Sequence, residues 1–174
     1  MVERASHRER GAQRSAAPSS HSAQTATSAP SSGLHLGVIR IIVVAPGKDP
    51  LGGPAAMSVE TTAALARLGD PVEILRAQDE PELAALTTDP SIDLVLFDRL
   101  ETDDAAALLG AIVIDGPPSI VVIDGDSEGE ALAAFRAGAS DCVHFGPEYD
   151  AVLPVVLLEQ VQRWRADRQR QVSE

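Results

Sequence analysis

The run IDLVLFD, residues 92–98, is an apolar stretch that ends on a carboxylate. An acid at the C-terminal tip of a buried strand can accept a phosphoryl group, provided that neighbours hold a cation and neutralise the developing charge. Without such neighbours it is a polar strand end, accepting hydrogen bonds from a loop or pairing with Lys48, the only lysine in the chain. Elsewhere the candidates are sparse. Gly52 and Gly53 could offer backbone N–H groups to an anion at a helix start. Cys142 and His144, on one short apolar stretch, are expected to face opposite ways, which would deny them a shared metal. The acid-rich pieces TDDAA (102–106) and DGDSEGE (124–130) lack the spacing of a calcium loop and read as helix caps and solvated loops.

The chain of 174 residues carries a net charge of −12, with 44% hydrophobic but only 3% aromatic residues. Its core must therefore be built from Ala, Val, Ile and Leu. The negative charge argues against nucleic acid and anionic membrane as partners. One cysteine allows no internal disulfide and fits a reducing, cytoplasmic setting. No apolar run approaches the length of a bilayer span, and the N-terminus has no apolar segment of the kind a secretory signal needs.

Residues 1–36 are rich in Ser, Ala, Thr and Gln without apolar periodicity, and are expected to be a disordered tail. Four arginines against Glu3 and Glu9 leave that tail at +2, so the rest of the chain carries −14 of the total −12. From residue 37 the pattern becomes regular, predicting one domain over 37–170. VIRIIVVA (38–45) is a β-branched run suited to a strand buried on both faces. The Gly/Pro-dense loop 46–54 follows, then a helix over 56–70 with Val59, Ala63, Leu65, Ala66 and Leu68 as its apolar stripe. Strands are predicted at 71–77, 92–97, 119–123 and 141–145, and helices at 79–89, 101–114, 128–138 and 150–170. Asp79 is the expected N-cap of the second helix, Ser127 and Glu130 form a capping box for the fourth, and Pro154 must fall in the first turn of the last. Five βα units in this order predict an α/β fold with a doubly wound parallel sheet, flavodoxin-like, in strand order 2-1-3-4-5. Function would then sit at the C-terminal strand ends: Val44–Ala45, Phe97–Asp98, Ile123–Asp124 and His144–Phe145.

The stretch from Gly69 onward resembles the receiver domain of two-component response regulators. The resemblance rests on IDLVLFD and on PSIVVIDGDSEGEALAAFRAGASDCVHF, and it implies Asp98 as the phospho-acceptor position. It also implies an acid pair for Mg²⁺ at the first strand tip, where Ala45 and Pro46 stand; Asp49, beyond a glycine turn, is the one substitute ligand. A hydroxyl is implied at Ile123, a lysine at Phe145, and a switching aromatic at Cys142. With those groups replaced, the chain resembles a degenerate receiver, or pseudo-receiver: no enzyme, no cofactor, and Asp98 an acid without its machinery. The alternative is an atypical receiver phosphorylated on Asp98 in a phosphorelay, which would need Mg²⁺.

The resemblance further implies an interaction face on the fourth helix, fifth strand and fifth helix, supplied by Ala133, Ala137 and Val143. Trp164, on a basic helix end, is either a docking anchor or a cover for the bottom of the sheet. Signalling proteins, or a second copy of the chain, are the expected partners. Residues 38–76 are also similar to the N-terminal strand, Gly-Gly loop and helix of GT-B glycosyltransferases, whose donor site would require a second Rossmann-like domain.

Overall fold

The computed structural model describes residues 36–48, 50–53, 55–125 and 127–174. The expected tail, apart from Leu36, and the candidate ligand Asp49 lie outside them. Alternation begins at once with β1 (Ile39–Val44), α1 (Val59–Ala66), β2 (Val72–Arg76), α2 (Glu80–Thr87) and β3 (Leu94–Phe97). It continues with α3 (Thr102–Leu109), β4 (Ser119–Asp124), α4 (Glu128–Arg136), β5 (Asp141–Phe145) and α5 (Tyr149–Ser173). All strand pairs are parallel and the order is β2-β1-β3-β4-β5, as the βα pattern predicts.

Parallel strands covered on both faces must be apolar on both faces. On one side Ile39, Ile41, Val43, Leu94, Leu96, Ile120 and Val122 pack under α1 and α5. On the other, Ile42, Val44, Val95, Phe97, Val121 and Ile123 pack under the helices α2, α3 and α4. Small residues bring α4 close to the sheet, with Ala134 buried and Ala131 and Ala137 partly so. Gly138, at φ 111°, turns the chain out of α4 in a backbone region that side chains disfavour. Caps are as expected at Asp79, whose carboxylate accepts from Glu82 N–H at 3.0 Å, and at Ser127, which accepts from Glu130 N–H at 3.2 Å.

Several boundaries differ from the periodicity. Leu36 packs against the core and α5 runs to Ser173, so the folded unit exceeds 37–170 at both ends. Helix α3 stops at Leu109 with Gly110 as its cap, so Ile114, the last residue of the expected helix, lies outside it and is exposed. Helix α1 runs only from Val59 to Ala66, and its buried face is Thr61, Ala64 and Leu65, with Leu68 buried just beyond its end. Val59, expected on the apolar stripe, is 81% exposed, because the hydroxyl of Thr61 rather than a methyl group is what the sheet edge draws inward. Pro154 falls in the second turn of α5, not the first, because the helix begins at Tyr149, five residues before it.

At the opposite end of the sheet, Asp93 precedes β3 and is only 3% exposed. Arg165 of α5 clamps it with Nε and Nη2 at 2.7 and 2.6 Å, and the amide of Arg40 donates to it at 3.0 Å. The same guanidinium donates to the carbonyls of Leu36 and Val38. Trp164, beside it, donates its indole N–H to the carbonyl of Ile92 at 3.2 Å and lies under Arg168. Trp164 therefore covers the bottom of the sheet and is not on the α4–β5–α5 face.

Candidate functional site

β3 delivers Asp98 to the C-terminal edge, where its own amide extends the ladder by donating to Val44 O at 2.8 Å. The side chain is 1% exposed, which demands partners for the carboxylate. They come from the start of α1. Ser58 N–H donates to Oδ2 at 2.7 Å, Thr61 Oγ1 donates to Oδ1 at 2.7 Å, and Ser58 Oγ lies 3.2 Å from Oδ1. Ser58 is also the α1 N-cap, accepting from Thr61 N–H at 3.2 Å. Asp98 thus sits at the positive end of a helix dipole, as a bound anion would. The anion at this helix start is internal to the chain. Gly52 and Gly53 lie several residues upstream of α1 and do not form its N-terminus. Lys48 forms no ion pair with Asp98 among the described residues.

The polar chain continues. Tyr149, the only tyrosine, places its hydroxyl 2.6 Å from Thr61 Oγ1. A carboxylate only accepts, so Thr61 gives its one proton to Asp98 and Tyr149 donates to Thr61. Burial raises the Tyr149 pKa, and the nearby Asp98 charge adds to this. The Tyr149 ring packs against Phe145 at 5.0 Å between centroids. Over the other side of Phe145 lies the Arg99 guanidinium, 4.0 Å from the ring centre. Arg99 reaches this place from a left-handed backbone at φ 62° and pairs with Asp124 at 3.1 Å. The hydrogen bond to Asp124 is the main cause of its raised pKa.

A cavity of about 380 Å³ opens beside the acid, lined by Pro46, Ala56, Ser58, Asp98, Arg99, Glu101 and Asp124. Among the described residues, those lining the cavity do not fit a divalent cation. Ala45 and Pro46 carry no carboxylate, the Asp98 oxygens accept from Ser58 and Thr61, and Arg99 already neutralises Asp124. No cluster of three potential ligands exists among the described residues.

The remaining candidate positions scatter. Ile123 is buried beneath α2, α3 and α4 and does not point into the cavity. Cys142 packs under α4, its Sγ 3.8 Å from Ala131 O. His144 shares that face of β5 rather than opposing it, because residues two apart in a strand point the same way. The two are nonetheless apart in partners, His144 Nδ1 lying 2.7 Å from Gly125 O. Val143 is 3% exposed beneath α5, so it cannot contribute a side chain to an interaction face. Ala133 is exposed and Ala137 half-buried, while the large apolar groups turned outward are Leu132 and Phe135 on α4 and Val152 and Val155 on α5. Sequence reasoning missed Ser58, Thr61, Arg99 and Tyr149. The Ser-x-x-Thr spacing before an apolar helix is an N-cap signal, and the single tyrosine is a second.

Burial, with Asp141 adding to it, pushes the Cys142 thiol up to about 11 from an ordinary 9.0. Native Cys142 should therefore react with a disulfide reagent at pH 8 about a hundredfold more slowly than the urea-unfolded chain. The folded chain holds the thiol proton more tightly, so this stabilisation is present below the ordinary value and is lost as pH rises toward about 11. Equal rates in folded and unfolded protein would contradict the burial.

No protein-family model and no curated protein sequence matches the chain. Among solved structures it is similar to NtrX from Brucella abortus in complex with ATP, at 20% identity and a TM-score of 0.56 over 79% of this chain and 29% of that one. The ADP complex of the same protein gives 20% identity and a TM-score of 0.53, over 77% and 28%. A response regulator receiver domain protein from Clostridium thermocellum gives 18% identity and a TM-score of 0.48, over 75% and 98%. The chain spans under a third of the length of the NtrX chains it matches. What the likeness to the NtrX chains establishes is the fold, a flavodoxin-like α/β architecture.

Proposed function

We propose that the chain is a non-enzymatic pseudo-receiver, a cytoplasmic protein–protein interaction module in bacterial regulation that works without phosphorylation. The observation that supports this reading is the state of Asp98. Both its oxygens accept hydrogen bonds from Ser58 and Thr61 at a helix N-terminus, and the side chain is 1% exposed. A carboxylate so engaged is a poor nucleophile, and phosphoryl transfer relies on electrostatic positioning that Ala45, Pro46 and Phe145 cannot supply. The outward apolar groups Leu132 and Phe135 on α4, and Val152 and Val155 on α5, support the α4–β5–α5 side as the surface for another signalling protein, since exposed apolar groups favour association.

Acetyl phosphate with Mg²⁺, followed by intact-mass measurement, tests the reading. The expected outcome is no added phosphoryl group on wild-type protein. A phosphoryl adduct that disappears in Asp98→Asn would instead establish the phosphorelay receiver.

A further inference from the structure

The first turn of α5 has little support of its own. Its N-cap, Glu148, makes no side-chain cap hydrogen bond. Pro154 has no N–H, so the carbonyl of Asp150 has no partner one turn on. The missing donor and the missing cap both fall within the opening six residues, whereas the distal half of the helix is bolted down through Arg165 and Asp93. Beyond backbone bonds to the carbonyls of Gly146 and Glu148, side-chain contacts tie the opening turn to the rest of the fold. Tyr149 gives its hydroxyl to Thr61 and its ring to Phe145, and Asp150 pairs with Arg67 of the α1 end at 2.9 Å. Tyr149 is also a wall of the groove of about 460 Å³ along the β5–α5 edge, together with His144, Pro147 and Val152.

We propose that Asp98, Thr61 and Tyr149 form a clasp whose closure fixes the first turn of α5, and whose release reshapes the β5–α5 edge. The inference rests on the reading of that edge as part of the docking surface. The direction of the chain gives the clasp its strength. Because Asp98 only accepts, Thr61 has no proton left for Tyr149 and must accept from it, so three elements distant in sequence share one ordered arrangement. Thr61 is thereby a positioning residue for α5, acting through its hydrogen bond to Tyr149. By linkage, a partner that binds the edge in its clasped form stabilises the hydrogen bonds at Asp98, and one that prefers the released form weakens them.

Thr61→Val removes the hydroxyl and keeps the shape. Amide exchange of the full chain should then quicken about tenfold over residues 151–157. Residues 161–170 should keep wild-type protection. The lone tyrosine, replaced by 3-fluorotyrosine, should show one ¹⁹F resonance in the parent chain and a displaced or broadened one in T61V. Tyr149→Phe, which deletes a single hydroxyl, should give the same local loss of protection and serves if T61V does not fold. Wild-type protection in both variants, or an equal loss along all of α5, would overturn the clasp. The measurement uses unmodified protein, so acetyl phosphate labelling of Asp98 would sink the functional reading while leaving this result to stand or fall separately.

Discussion

Replacing Arg165 with methionine should cost about 3–5 kcal/mol of unfolding free energy, the range for stranding a buried charge. Asp93 is almost fully buried, and the bidentate guanidinium supplies two of its three hydrogen bonds. Methionine keeps most of the aliphatic stem that crosses the sheet bottom, so the loss would come from the uncompensated carboxylate and not from packing. Arg165 is partly exposed, so water can reach some of the site and the lower end of the range is the safer expectation. Urea denaturation monitored through Trp164, one residue away, measures it directly. Pairing Arg165→Met with Asp93→Leu should recover much of the loss, because removing both charges removes the penalty. A single variant within about 0.5 kcal/mol of wild type would show the pair to be solvated and the clamp to be incidental.

The second large effect is expected at Asp98. Truncation to alanine should destabilise the chain by about 3 kcal/mol, since buried Ser58 N–H and Thr61 O–H would lose their acceptor together. The sign separates two kinds of acid. A carboxylate held free for chemistry sits among like charges, and its removal is neutral or stabilising. A carboxylate that caps a helix is structural, and its removal is costly. Asp98→Ala should therefore lower the urea midpoint, with little change in the denaturant slope. A midpoint equal to or above wild type would show that Ser58 and Thr61 do not depend on the acid.

These two carboxylates differ in how legible they were. Asp98 stands out in the sequence because an apolar run ends on it, and the βα rhythm places that end at the functional edge of a parallel sheet. Asp93, one residue into the same run, carries no such mark. Its charge is tolerable only because an arginine 72 positions later folds across it. The α1 stripe shows the same limit. Its periodicity was satisfied by Val59 as well as by Thr61, and only the presence of Asp98 across the gap decides which of them turns inward. On α4 Ala131 and Ala134 face the sheet, and Leu132 and Phe135 face out, against the ordinary preference for burying the larger group. Close approach of a helix to a sheet selects small residues at the contact, a demand that one-dimensional hydropathy does not express.

From the sequence alone came five βα units, their order, and Asp98 at a strand tip. Those are consequences of local periodicity and residue type, which each segment carries by itself. The tertiary structure alone decided what surrounds Asp98. Thr61 and Tyr149 lie 37 positions before Asp98 and 88 positions after Thr61, respectively. A hydrogen bond needs its atoms within about 3 Å, and that proximity is a property of how elements pack, not of any one of them.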